Sequence, residues 1–264
     1  MLTSFVISIL LAWAGVFFLM CGIWWLSLRI RNAGIVDIAW AMGFAPIALG
    51  YALVNPGFGP RRILVTSMAG LWSLRLGSYL WRRVMGHHPE EDRRYRQLRL
   101  EWGDQANRKM FWFFQLQAVL MVVLSVPFLL ACLNPRPALG FWEWTGLAIW
   151  VVAWLGESLA DRQLKQFKAD PAKRGMVCQS GLWYYSRHPN YFFEWLVWVS
   201  FFIFALGSSV GWVTIYCPLL MLFFLLKVTG IPMTEELAVK TKGEAYREYQ
   251  RTTNAFVPWF RKTN

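Results

Sequence analysis

The sequence predicts an all-α, polytopic membrane protein with seven transmembrane helices, its N-terminus outside and its C-terminus in the cytoplasm. Three observations predict this. Of the 264 residues, 56% are hydrophobic and only 16% are charged, against about 25% charged in a typical soluble domain. The apolar residues arrive in seven blocks of about 16–27 residues, near the ~20 that cross a bilayer as a helix. The basic residues behind the net charge of +12 fall between those blocks and mainly in alternate loops, which the positive-inside rule assigns to the cytoplasm.

The elements follow in order. Residues 2–28 lack a basic leading region and are too long for a signal-peptide core, so they predict a retained first span that ends at Arg29 and Arg31. Residues 35–54 form the second block and carry Asp37 about one turn from the cytoplasmic end. Residues 63–81 form the third, with Arg75 at its middle. Residues 82–109 mix both signs of charge at helical spacing and predict a short cytoplasmic helix. Residues 111–133 and 141–159 are the fourth and fifth blocks, separated by an outer turn with Pro135 and Pro137. Residues 191–206 and 211–228 complete the set. The short outer loops hold only Arg61, Arg62 and Arg136 as charges. The basic tail (Lys240, Lys242, Arg247, Arg251, Arg261, Lys262) belongs with the cytoplasmic set, and its sequence predicts an amphipathic helix. Trp24, Trp25, Trp81, Trp112, Trp142 and Trp144 sit near block ends, where interfacial belts concentrate tryptophan.

Several function classes are excluded or disfavoured. A basic chain suggests nucleic acid, but here Lys and Arg lie between apolar blocks, where anionic headgroups account for them and no nucleic-acid partner is expected. Cys21, Cys132, Cys178 and Cys217 are scattered and form no CxxC, so neither a disulfide framework nor a zinc site is indicated. His87 and His88 are adjacent and point to different helix faces, a poor metal pair. GFGP at residues 57–60 lacks the rest of a dinucleotide fingerprint, and no phosphate-loop motif or nucleophile elbow occurs. No metal is expected.

Charges within spans are expensive and therefore candidates for function. Asp37 and Arg75 can pair within the bundle, either as a structural ion pair or as part of a site. Trp72, Arg75 and Tyr79 share one helix face and offer an indole N–H, a cation and a phenol. Glu157, Asp161, Lys165 and Lys168 line another face at the inner end of the fifth block, as a solvated stripe or a contact surface. The stretch GLWYYSRHPNYFFEW packs Arg187, His188, Asn190, Tyr191 and Glu194 around Pro189 at the start of a span. Proline at a helix start leaves unpaired N–H groups and a dipole end that favour an anion, and phosphate is the natural guest. In the tail, Glu235 and Glu236 follow Pro232, and Tyr246 and Tyr249 are three residues apart.

GLWYYSRHPNYFFEW, the preceding ESLADRQLKQFK, the tail YREYQRTTNAFVP, and the early RNAGIVDIAWAMGF and LWSLRLGSYLWRR together resemble the steroid 5-alpha-reductase superfamily, in its bacterial DUF1295-type branch. The resemblance covers residues 31–258. It implies one transmembrane domain, with substrate-side helices over residues 1–133 and cofactor-binding helices and loops over residues 141–264. NADPH is the implied cofactor. On the fifth-block face, the resemblance implies contacts from Glu157, Asp161, Lys165 and Lys168. Around the sixth block it implies Tyr184, Arg187, His188, Asn190, Tyr191 and Glu194, and in the tail Glu235, Tyr246 and Tyr249. The Arg187–His188 pair departs from the animal steroid reductases and fits the bacterial form.

The implied reaction is hydride transfer to the β carbon of an enone lipid, expected to be a 3-oxo-Δ4-steroid, followed by protonation of the enolate. In the family an intramembrane carboxylate and a tyrosine hold the substrate carbonyl. Asp37 falls at the carboxylate position, but Trp72 falls at the tyrosine position, with Tyr79 two turns away on the same face. The catalytic set expected is therefore Asp37, Trp72, Arg75 and Tyr79, with a protonated Asp37 as the acid. The implied partners are a lipophilic substrate and membrane lipid, and the implied location is a bacterial inner membrane. Membrane methyltransferases that use S-adenosylmethionine share a similar RHPxY element and are the alternative. A transporter or lipid binder, with no nucleotide affinity, is the non-enzymatic one.

Overall fold

The computed structural model describes residues 2–261, which are helical with connecting turns and contain no strand. Lys262, named above among the tail cations, lies outside the described residues. Two compact units are formed, Met1–Gly140 with Gly207–Gly211, and Phe141–Leu206 with Trp212–Asn264.

The first unit is built from α1 (Leu2–Ile30), α2 (Ile35–Val54), α3 (Gly59–Met85), α4 (Arg93–Trp102) and α5 (Ala106–Leu133). Helix α2 packs along α3, and α5 touches α1, α2 and α3. Close approach rests on small residues, the usual device where lipid gives helices no hydrophobic reason to associate. A Cβ on Gly77 of α3 would stand 2.3 Å from Cγ of Met42 in α2, and one on Gly43 would stand 2.2 Å from Cε of Met121 in α5. Pro46 interrupts α2, and beside it the Ser73 hydroxyl enters the helix ladder. That hydroxyl accepts from Ala45 N (3.2 Å) and donates to the Ala41 carbonyl (2.5 Å).

The turns that follow α2 and α5 account for Arg61 and Arg62. Arg61 is buried and donates to the carbonyls of Asn134 (3.1 Å), Arg136 (2.9 Å) and Ala138. Arg62 donates to the Ala52 (2.6 Å) and Asn55 (2.8 Å) carbonyls at the end of α2. Both cations therefore satisfy backbone oxygens that a helix end or turn leaves open. The chain crosses the same place at Gly57, whose N–H reaches the Cys132 carbonyl (3.1 Å) and where a Cβ would lie 2.1 Å from that oxygen.

The second unit holds α6 (Phe141–Ala169), α7 (Leu182–Tyr185), α8 (Pro189–Ala205), α9 (Tyr216–Phe223), α10 (Ile231–Lys242) and α11 (Glu244–Thr252). Helices α6 and α8 form its central contact, with Gly146 against the Phe204 backbone and Gly156 against the Phe193 ring. A π-helical turn, Phe224–Val228, ends the apolar run after α9. Gly243, at φ +57°, breaks the expected tail helix into α10 and α11, a conformation that suits glycine.

Among the described residues, four segments are long and apolar enough to cross a membrane: Leu2–Ile30, Ile35–Val54, Arg93–Leu133 and Gly211–Lys242. The other three expected blocks also fold as helices. Helix α3 carries five arginines, α6 runs on into a polar C-terminal stretch, and α8 is only 17 residues long. Helix α1 buries just Ser8, Val16, Met20 and Ser27 and leaves large apolar side chains outward, as helices facing hydrocarbon do. The short helix expected within residues 82–109 is α4, with the Asp92 carboxylate accepting from Arg94 N at its start (3.0 Å).

Candidate functional site

Two polar clusters stand out, one in each unit. In the first, Asp37 lies in the opening turn of α2, and α4 brings its partners. The Arg94 guanidinium bonds Oδ2 of Asp37 at 2.7 Å, and the Tyr95 hydroxyl donates to Oδ1 at 2.5 Å. Tyr95 is buried, with its ring edge-on to Phe113. Arg94 also bonds Asp92, which Arg83 reaches at 2.7 Å. Burial alone would raise the Asp92 carboxyl, but the hydrogen bonds and charge of Arg94, with Arg83 beyond, bring it down to about 2. Beside this cluster Glu91 accepts from Ala33 N (2.7 Å) and from Arg99 (2.9 Å), so it ties the same segment to the start of α2.

The expected catalytic group is only partly assembled this way. The ion pair shown by Asp37 is with Arg94, whereas the sequence pointed to Arg75. Tyr95 is not among the residues the sequence singles out, because it lies 58 residues from Asp37 and local spacing gives no sign of so distant a pair. The Asp37 carboxylate thus has one oxygen on a guanidinium and the other on a phenol. Trp72 is fully buried, its ring edge-on to Phe44. Arg75 and Tyr79 lie one and two turns along the same helix, both half-buried.

In the second unit the chain between α6 and α8 folds against the tail. Arg187 bonds Glu235 at 2.6 Å and donates to the carbonyls of Gln250 (3.0 Å) and Thr253. His188 is buried, 3.1 Å from the same Glu235 oxygen, and Gln250 donates to its other oxygen (2.9 Å). Burial holds the His188 imidazole below its ordinary 6.5. Glu235 pulls the other way, and Arg187 adds a smaller push downward. The His188 and Tyr191 rings stack at 5.4 Å and 6°, and the Tyr191 hydroxyl meets Thr234 (3.2 Å).

Tyr246 and Tyr249 are buried with their rings edge to face at 5.8 Å. The Tyr249 hydroxyl donates to the Trp183 and Ser186 carbonyls, and burial pushes both phenols up. These two tyrosines and Arg187 are therefore committed to holding α7 and the tail together.

Deeper along α8, Asn190 donates to Asp161 of α6 (3.4 Å), and Glu194 accepts from the Trp198 indole (3.0 Å). Glu157 is buried on α6 one turn before Asp161. The Asn190 Oδ1 is buried with no hydrogen-bond partner. Past this point α6 presents Lys165 and Lys168 outward, and the Lys242 ammonium of α10 lies within electrostatic reach of Lys168. Tyr184 is exposed beneath the Arg261 guanidinium, 4.2 Å from its ring centre. The unit thus combines an open amide acceptor, a stacked aromatic pair and two neighbouring cations, functions that suit a ligand with an amide, a ring and phosphates.

Residues 23–253 match a family described as a protein of unknown function, DUF1295. The Uncharacterized protein C594.04c of Schizosaccharomyces pombe is 28% identical, over 96% of this chain and 79% of the relative. No solved structure matches the chain.

Proposed function

We propose, from the premise that the chain belongs to the DUF1295 family, that it is a seven-span membrane reductase that uses NADPH to reduce the carbon–carbon double bond of an enone lipid, with 3-oxo-Δ4-steroids as the substrate class. Its N-terminus lies outside and its C-terminus in the cytoplasm, in a bacterial inner membrane.

The observation that carries this reading is Asn190. Its buried Oδ1 has no donor in the protein, although Nδ2 is held by Asp161. A buried amide oxygen left open costs about 1–3 kcal/mol, and the carboxamide N–H of a nicotinamide is complementary to it. The donor set around it also fits the group. The parallel rings of His188 and Tyr191 offer a flat surface, and Lys165, Lys168 and Lys242 offer cations for phosphates. Arg187 bonds Glu235 and the Gln250 and Thr253 carbonyls. Its internal partners make it a positioning residue that fixes the start of α8.

When bound, NADPH supplies the hydride. The protein's own task is to bind and polarise the enone oxygen, where negative charge develops. Tyr95 Oη holds the proton for that oxygen, and Asp37, paired with Arg94, orients the hydroxyl. Trp72, Arg75 and Tyr79 line the neighbouring helix and help to keep water from the lipid.

The test is NADPH oxidation by the purified full-length chain in nanodiscs, with and without a 3-oxo-Δ4-steroid. Oxidation that depends on the steroid is expected, and Asn190→Ala should raise the NADPH Kd about tenfold, the effect of ~1.4 kcal/mol. Tight S-adenosylmethionine binding with no NADPH binding would overturn the proposal in favour of a methyltransferase. Binding of neither nucleotide would favour a lipid carrier.

A further inference from the structure

The C-terminal segment after α11 is anchored along its length yet turns its largest apolar side chains outward. Its backbone is pinned at several points. Arg187 N donates to the Asn254 carbonyl (2.9 Å), the Ser186 hydroxyl reaches the Phe256 carbonyl (2.8 Å), and Trp259 N donates to the Tyr185 carbonyl (2.9 Å). Arg261 closes the segment with a hydrogen bond to Gln179 (2.6 Å) and its stack on Tyr184. Despite this anchoring, Trp259 is 64% and Phe260 72% exposed.

The depth of this surface is set by α8. Phe256 packs against Phe192 (5.7 Å between ring centres) and Trp195 (5.8 Å), both in the first two turns of that apolar helix. Trp195 in turn donates to the Pro218 carbonyl of α9 (3.0 Å). The next few residues therefore emerge level with the point where α8 becomes apolar. Aromatic rings beside a guanidinium at that level are the composition of a membrane interface, where rings sit among headgroups and a cation meets lipid phosphate.

We propose that the segment bearing Trp259, Phe260 and Arg261 is a lipid-contact element that seats in the headgroup layer of the leaflet bordering the start of α8, with anionic lipid as its partner. The two rings enter the boundary between headgroups and acyl chains, and Arg261 meets a lipid phosphate while retaining Tyr184 beneath it. Because the same segment supplies carbonyls to Ser186 and Arg187, leaflet contact also steadies the turn that leads into α8.

The test places a single environment-sensitive fluorophore at Phe260→Cys, with Arg247→Cys on α11 as an exposed control, in a background whose native cysteines are replaced. The full-length protein is reconstituted in bilayers of phosphatidylcholine with or without phosphatidylglycerol. Lipids spin-labelled near the headgroup should quench the 260 label several-fold more than the 247 label, and aqueous iodide should quench it several-fold less. Quenching by lipid should also weaken when phosphatidylglycerol is omitted. Equal iodide access at both positions would overturn the proposal. So would shielding that follows protein density rather than lipid, which would mark the surface as a contact between copies. Quenching unchanged by phosphatidylglycerol would overturn the assignment of anionic lipid.

Discussion

The guanidinium of Arg187 and the carboxylate of Glu235 are 48 residues apart in the chain and 2.6 Å apart in the fold. Both side chains are largely buried, at 10% and 14% exposure. Removing one partner of such a pair leaves an uncompensated charge and typically destabilises by about 3–5 kcal/mol. Arg187→Met should therefore lower the unfolding midpoint strongly, and Arg187→Lys should recover only part, because lysine cannot form the fork that serves Glu235 and two carbonyls at once. The double variant Arg187→Met/Glu235→Leu should lose less than the sum of the two single changes. Thermal unfolding of the four proteins in one detergent measures that coupling.

Tyr95 and Asp37 supply the second prediction. A proton donor contributes roughly 10²–10⁴-fold to turnover. Tyr95→Phe keeps the ring against Phe113 and removes only the hydroxyl. In the NADPH oxidation assay, kcat should fall at least about a hundredfold. The Kd for NADPH should stay unchanged, since the residues assigned to that cofactor belong to the other unit. A fall in cofactor affinity without a fall in kcat would remove Tyr95 from the chemistry.

These two clusters also show what the sequence makes legible. The apolar block at residues 35–54 predicts a helix, and Ile35–Val54 is the helix found, because its length and hydropathy outweigh the single charge of Asp37 and the proline at 46. The importance of RHPNY was visible from its density of polar groups at the start of an apolar helix. Which of those groups face inward was not. Arg187 and His188 looked like anion ligands, but their partners Glu235, Gln250 and Thr253 come from the tail, and local spacing carries no information on such distant contacts. Tyr95 was hidden for the same reason. Helix-end arginines deceived in the opposite direction, since Arg61 and Arg62 counted as loop charge although carbonyls consume them.

The third prediction concerns pH. The folded protein holds His188 below 6.5, so the unfolded chain binds this proton more readily than the folded one. Stability must then rise with pH across the interval between the two values. His188 contributes its full share above 6.5 and loses it as pH falls through the lower folded value. The unfolding midpoint should drop between pH 7 and pH 5 (about one unit either side of an ordinary histidine). His188→Phe keeps an aromatic ring over Tyr191 and should flatten that slope, while costing stability at pH 7 through the lost Glu235 contact. An imidazole carbon signal that titrates at or above 6.5 would contradict the sign.

The last prediction tests the helix contact on which the second unit is built. At Gly146 of α6 a Cβ would stand 2.7 Å from the Phe204 backbone nitrogen and 2.8 Å from its Cβ. Neither is the far end of a flexible side chain, so the helices themselves must part. Forcing extra volume into a packed contact costs typically 1–3 kcal/mol. Gly146→Ala should thus lower the unfolding midpoint even though alanine is the better helix former. Gly22 of α1 is the matched control, because nothing lies within 4 Å of its Cβ position. There the helix propensity gain of about 0.8–1 kcal/mol acts alone, and Gly22→Ala should be neutral or stabilising. The two substitutions are chemically identical, so opposite shifts measured in one detergent isolate the packing of α6 on α8 from any general effect of removing glycine. If both variants unfolded at or above the parent midpoint, α6 and α8 would not approach as closely as Gly146 requires.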